Sequence, residues 1–255
     1  MDRTTPRLFR WDEVPDEQVT EHLSRKIVTG DRVMVAHIRL KKGCVVPLHS
    51  HEAEQLSFTF SGRLKFIING ETIVAGPGQL LMIPSWVKHE AVALDDVYEM
   101  DVFSPIRYDW LERTDSYFAN APTQAADYTN PATGSNPARL VEWSQVPVER
   151  ITEMIDRAYV SGDRTTFCDF LLRKGAVVPT HQHESEQITW VRSGHLRLTV
   201  GEEVFDVREG SVLRIPSQLP HSAVAVEESK VIDLFSPRRE DWIAKSDHYL
   251  RQGNR

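Results

Sequence analysis

Short apolar runs separated by glycine, proline and charged punctuation make up most of this chain, and few stretches keep a helical period. Residues 33–40 form a β-rich run closed by Lys41-Lys42-Gly43. Residues 56–60 and 64–68 flank Ser61-Gly62, a spacing that predicts a hairpin. Gly76-Pro77-Gly78 breaks the chain before 80–83, and runs at 91–94 and 97–103 follow. The second half shows the same pattern at 187–192, 196–200, 212–215 and 230–235. Helical periodicity is expected only at 16–25, at its counterpart 148–157, and in the tails after Pro105 and Pro237. Many short strands with Gly and Pro turns predict an all-β sandwich or barrel.

The two halves are copies of each other. Displaced by 132 residues, the chain overlays on itself without a gap: Trp11 meets Trp143, Gly62 meets Gly194, and Trp110 meets Trp242. Of the 111 positions from 7 to 117, 46 are identical to their partners, where average residue usage would give about one in fifteen. Between the copies, 119–137 is rich in Ala, Thr, Asn, Pro and Gly with no apolar period, and reads as a linker. The expected division is an N-terminal barrel at 1–118, the linker at 119–137 and a C-terminal barrel at 138–255, each barrel near the modal domain size.

Composition narrows the function classes. A net charge of −7 argues against nucleic-acid binding, which needs a clustered basic surface. No apolar run approaches the roughly 20 residues of a membrane-spanning helix, and residues 1–10 lack a signal-peptide apolar region. Cys44 and Cys168 lie far apart on or beside expected strands, which disfavours a disulfide framework. The expectation is a cytoplasmic monomer or homodimer with no membrane or nucleic-acid partner.

The chemistry concentrates in a few repeated motifs. One copy reads Pro47-Leu48-His49-Ser50-His51-Glu52-Ala53-Glu54-Gln55, the other Pro179-Thr180-His181-Gln182-His183-Glu184-Ser185-Glu186-Gln187. Alternate side chains of a strand share a face, so in one unbulged strand His49, His51 and Gln55 would point inward together and Glu54 outward. His181, His183 and Gln187 would do the same. A further ligand is expected from a distant strand, at His89 after Pro84 and at His221 after Pro216. Imidazole is the commonest metal ligand, and imidazole with amide suits Fe, Ni, Cu, Zn or Mn. Neutral ligands leave a divalent metal its full charge, which favours an anionic substrate.

These paired motifs resemble those of the cupins: two histidines one residue apart, a Glu or Gln a few residues on, a glycine beyond, then a proline followed shortly by a histidine. The resemblance covers nearly all of the chain outside the linker. It implies tandem jelly-roll barrels, a bicupin, with one divalent transition metal in each.

A second repeated run is Asp101-Val102-Phe103-Ser104-Pro105-Ile106-Arg107 in one copy and Asp233-Leu234-Phe235-Ser236-Pro237-Arg238-Arg239 in the other. Asp and Phe share a face of the expected last strand, and Arg follows at the rim. A buried Asp needs a charge partner or a proton and suits acid–base work beside a metal; an Arg at the mouth suits a bidentate grip on a carboxylate. This run resembles the small cupin of pectin and alginate breakdown that opens the ring of unsaturated uronates. That resemblance implies catalytic roles for Asp101, Arg107, Asp233 and Arg239 and substrate contacts for Phe103 and Phe235. The two-cupin layout also resembles the bacilysin-pathway bicupin isomerase. Together they imply a non-redox step (ring opening, isomerisation or lyase chemistry) on a small carboxylate-bearing sugar acid or keto acid. Two alternatives stay open: a cupin-type Fe or Cu dioxygenase, and a non-catalytic module that binds sugar acids or metal. Structural roles also stay open: Asp101 as a brace for a ligand, Arg107 as a surface partner of Asp109 or Glu112, and Trp110 and Trp242 as packing anchors. The copies differ near the cavity, where Ser57, Thr59, Lys65 and Trp86 correspond to Thr189, Val191, Arg197 and Gln218.

Overall fold

The computed structural model describes residues 4–120 and 138–251; the linker expected at 119–137 lies outside the described residues from 121 onward. Every strand run read from the pattern forms, with ends moved by a few residues: Met34–Leu40, Glu54–Ser61, Leu64–Ile68, Gln79–Ile83, His89–Ala93 and Val97–Ser104 in the first copy. In the second copy they are Glu186–Ser193, His195–Val200, Ser211–Ile215 and Ser229–Ser236. The Ser61-Gly62 hairpin also forms. Gly62 has φ +76°, and a Cβ there would collide with the Asp96 carbonyl, so only glycine fits.

The helices expected at 16–25 and 148–157 are instead hairpins. Glu17–Thr20 pairs antiparallel with Leu23–Thr29, and Glu149–Thr152 with Ile155–Ser161. Leu23–Thr29 in turn pairs along its whole length with Met34–Leu40. Val19, Thr20, Ile27 and Val28 are β-branched, and this tertiary pairing overrides a local period that suited either element. The Gln18 amide bridges the turn by donating to the Thr20 and Leu23 carbonyls. The helical expectation for the tails holds in short form at Tyr108–Leu111, Glu240–Ile243 and His248–Arg251.

The chain packs as two compact units. One comprises Pro15–Thr29 and Met34–Gln145. It has a seven-stranded sheet whose three central strands are Glu54–Ser61, Val97–Ser104 and Met34–Leu40, and a four-stranded sheet of Val45–His49, His89–Ala93, Leu64–Ile68 and Glu71–Ala75. The other unit comprises Met1–Val14, Gly30–Val33 and Val146–Arg255, with sheets of the same order. These bounds differ from the expected division at 118 and 138. The edge strand Arg139–Glu142 belongs to the first sheet, paired with Gln79–Ile83, and Arg7–Arg10 belongs to the second unit's sheet, paired with Ser211–Ile215. In each unit the apolar core fills the space between the two sheets: Leu64, Phe66, Leu81, Ile83 and Phe103 in one, Leu196, Leu198, Leu213, Ile215 and Phe235 in the other.

Candidate metal centres

The ligand motif is not one strand. Val45–His49 ends at His49, Glu54–Ser61 begins at Glu54, and His51 lies in the connection. The parity premise therefore fails, yet the side chains converge because the chain passes from one sheet to the other at this point. His89 opens its strand directly opposite His49, and His221 opposite His181. The candidate ligand atoms of His49, His51 and His89 lie within 4.8 Å of one another, as do those of His181, His183 and His221.

Each imidazole is oriented by a backbone carbonyl. Nδ1 of His49, His51 and His89 donates to the carbonyls of Pro47, Ala53 and Val87 at 2.8–2.9 Å. His181, His183 and His221 repeat this toward Pro179, Ser185 and Leu219. With Nδ1 committed as donor, Nε2 carries the lone pair. Burial, the largest cause, holds His51 down at about 3 and His89 at about 4, so the rings are neutral at physiological pH.

The fourth ligand supplies the test of fit. The Gln55 amide nitrogen donates to Ser57 Oγ at 2.9 Å and Asp101 Oδ2 at 3.1 Å, which fixes Oε1 toward His51. Oε1 then lies 3.1 Å from His51 Nε2, an acceptor facing an acceptor. The same pair recurs between Gln187 Oε1 and His183 Nε2 at 3.2 Å, with the Gln187 amide donating to Thr189. His89 Nε2 and His221 Nε2 are buried with no hydrogen-bond partner among the described residues. Lone pairs gathered around one point, on a donor set of three imidazoles and one amide, fit a divalent cation.

Glu54 and Glu186, expected to face outward, do point away from the ligands, but they are buried, at 3% and 1% exposure. Glu186 accepts the backbone N–H groups of Asp31, Arg32 and Val33 and the guanidinium of Arg214. Strand parity tells which face a residue takes; a turn packed over that face decides whether it meets water.

Asp101 and Asp233 lie inside the barrels and line the cavities beside the ligands. Each has a buried Oδ1 with no partner among the described residues. Burial raises both, Asp233 to about 6, against the lowering effect of neighbouring hydroxyl and amide hydrogen bonds and of Arg107 or Arg239. The arginines also line the cavities. They are buried, not on the surface, and their forked edge is taken: Nε and Nη2 of Arg107 bind Asp109, and those of Arg239 bind Asp241. A ligand carboxylate would thus meet Arg107 Nη1, which has no partner among the described residues, and not the bidentate edge. Phe103 and Phe235 line the cavities and pack edge-on against His51 and His183. Trp110 and Trp242 are packing anchors under the guanidinium groups, 4.8 and 4.4 Å from ring to cation.

Sequence reasoning missed two tyrosines. Tyr117 stacks on His49 at 4.4 Å and 8°, and Tyr249 on His181 at 4.3 Å and 16°. Their hydroxyls accept from Arg107 and Arg239. Both are identical across the copies, which was the available signal. Buried ion pairs hold the segments that carry them, Arg25 with Asp115 and Arg157 with Asp247.

Comparison with known proteins agrees with this arrangement. A solved point variant of oxalate decarboxylase from Bacillus subtilis matches with a TM-score of 0.68 at 16% identity, over 90% of this chain and 76% of that one. A structure concerned with the Mn(II) centres of the same enzyme matches with a TM-score of 0.67 at 18% identity, over 90% and 76%. AerE from Microcystis aeruginosa matches with a TM-score of 0.64 at 13% identity, over 88% and 96%. At these identities the likeness establishes the fold. No curated protein sequence matches. The cupin domain model matches twice, at residues 36–104 and 169–235, so that each run from the strand before the ligands to the last strand of its barrel carries one match and the chain belongs to the cupin family, as a bicupin.

Proposed function

We propose that this bicupin is a metal-dependent enzyme acting on a small carboxylate-bearing sugar acid or keto acid by a non-redox step: ring opening, isomerisation or lyase chemistry. The observation that carries this reading is the grouping, in both cavities, of a neutral ligand set with a buried aspartate and a buried arginine, Asp101 with Arg107 and Asp233 with Arg239. A divalent transition metal held by His49, His51, Gln55 and His89, or by His181, His183, Gln187 and His221, would supply Lewis acidity toward a substrate oxygen. The chain supplies the rest. Arg107 and Arg239 orient the carboxylate, and Tyr117 and Tyr249 hold both the guanidinium and a ligand imidazole in place. Asp101 or Asp233 holds or moves the proton. Burial raises Asp101 to about 7 against the lowering hydrogen bonds of Ser57 and Gln55, a range suited to exchange at neutral pH.

The likeness to oxalate decarboxylase places small dicarboxylates in the same substrate screen as unsaturated uronates and keto acids. The test is metal analysis of the purified protein followed by that screen with oxygen uptake recorded. Turnover without oxygen uptake supports the reading. Oxygen consumption with ferrous iron would replace it with a dioxygenase, and binding without turnover would make the chain a binding module.

A further inference from the structure

The two cavities are lined from corresponding strands, and one difference is a buried carboxyl. In the last strand of the first barrel Glu99, Asp101 and Phe103 alternate and share the inward face; in the second barrel the same face reads Val231, Asp233, Phe235. Glu99 is 4% exposed, and its Oε2 has no hydrogen-bond partner among the described residues. Directly across the sheet stands Thr59, fully buried, whose hydroxyl also lacks a partner among the described residues. Val191 occupies that place opposite Val231. Glu99 lines the first cavity where Val231 lines the second, and beside it in the sheet an unsatisfied hydroxyl stands where the second barrel has Val191.

Such groups cost stability unless something bonds to them, and the second barrel shows that the fold does not require them. We propose that Glu99 is a specificity-determining residue, with Thr59 across the sheet as a positioning residue: Glu99 binds a hydroxyl or carbonyl at the end of the substrate remote from its carboxylate. The N-terminal cavity thereby selects hydroxylated acids, while the C-terminal cavity selects acids with an apolar end. This rests on the proposed function, with the substrate carboxylate held by Arg107 or Arg239 at the metal. Burial, and then the neighbouring Asp101, push the Glu99 carboxyl well up, which makes it a donor as well as an acceptor.

The test uses full-length, metal-loaded protein with His181→Ala and His183→Ala silencing the C-terminal centre, titrated calorimetrically with galacturonate and with hexanoate. Galacturonate should bind more tightly than hexanoate. Glu99→Val should weaken galacturonate by about 10-fold, leave hexanoate within 2-fold, and raise the melting temperature, since it removes an unsatisfied buried group. Thr59→Val should act in the same direction more weakly. In the reciprocal background, with His49→Ala and His51→Ala, Val231→Glu should shift the second cavity toward galacturonate. Equal effects on both acids, or a fall in melting temperature on Glu99→Val, would overturn the proposal by making Glu99 structural. If neither acid binds either metal-loaded background, the carboxylate-at-metal reading fails, and this inference with it.

Discussion

Glu186 and Gln187 are adjacent in the chain, yet the structure assigns them different work, and exchanging each for alanine should separate folding from metal binding. Glu186 is 1% exposed and its carboxylate accepts three backbone N–H groups, from Asp31 at 2.9 Å, Arg32 at 2.7 Å and Val33 at 3.2 Å, together with Arg214 Nε at 2.7 Å. Removing it leaves those donors unsatisfied and Arg214 with Asp31 as its remaining ion-pair partner. Each orphaned buried donor costs about 1–3 kcal/mol. These losses are not additive, and a broken buried ion pair as a whole costs about 3–5 kcal/mol. With a urea slope of about 2–3 kcal/mol per molar for a unit of this size, the unfolding midpoint of the chelator-treated protein should fall by roughly 1–2 M. Metal affinity of the folded protein, read by competition with a coloured chelator, should stay within about 2-fold, because no Glu186 oxygen approaches the imidazoles. Gln187→Ala should do the reverse: affinity in the C-terminal centre weakened by about 10-fold or more, with metal-free stability changed by less than about 1 kcal/mol. If Glu186→Ala weakens metal binding and Gln187→Ala does not, the ligand assignment is wrong. If Glu186→Ala leaves the urea midpoint unmoved, the account of its burial is wrong.

Reconstituted protein should hold two metal ions per chain, and His181→Ala with His183→Ala should bring elemental analysis to one. Asp101→Asn together with Asp233→Asn should cost about 10²–10⁴-fold in kcat with metal content unchanged; turnover at the wild-type rate would make these aspartates structural. Tyr117→Phe keeps the ring on His49 and loses the hydroxyl that Arg107 donates to, so KM should rise in the N-terminal centre while metal affinity holds. Metal-free protein should lose stability on acidification. Five of the six site histidines are held at about 2 to 4 by burial and His221 is lowered as well, so the unfolded chain takes up more protons below its own value of about 6.5, at up to about 1.4 kcal/mol per pH unit for each. The raised carboxyls Glu90, Glu99, Asp101 and Asp233 act in the opposite sense, but they are four against seven lowered histidines, with His37 held at about 3 by burial as well. The urea midpoint should therefore fall between pH 7 and pH 5; a rise would refute the assignment of neutral buried imidazoles.

How far the sequence could be read depended on the range of the interaction. The strand runs and the Ser61-Gly62 hairpin depend on neighbours a few positions away, and they formed as expected. The ligand spacing picked out residues that do converge, on an incomplete argument: His49 and Gln55 belong to different sheets, and what brings them together is the crossing between sheets, which alternation along a single strand does not describe. The hairpins at Glu17–Thr29 and Glu149–Ser161 were misread because a ten-residue stretch with two to four apolar positions suits period 3.6 and period 2 alike, and the partner that decides, Met34–Leu40 or Thr166–Leu172, lies outside the window. The strand Arg7–Arg10 pairs with Ser211–Ile215, some two hundred residues away, and its Arg-Leu-Phe-Arg pattern carries nothing that points there.

The part of the site left unread was legible by a different route. Once Asp101 is placed on the inward face, a step of two toward the start of the same strand reaches Glu99, and the cross-strand register reaches Thr59. Comparing the copies by identity alone favours what they share, which is the ligand set, the Asp–Phe–Arg run and the two tyrosines; the difference of Thr59 and Val191 is visible in the sequence, but that of Glu99 and Val231 across the sheet is passed over. In a duplicated fold the shared residues describe what the two barrels have in common, here the candidate ligand geometry, because identical ligands impose identical geometry. The unshared inward-facing residues describe what each barrel admits to that chemistry. Glu99 with Thr59 and Val231 with Val191 hold the same backbone positions in the same sheet order, so the fold does not require the polar pair, and the proposed selectivity accounts for it.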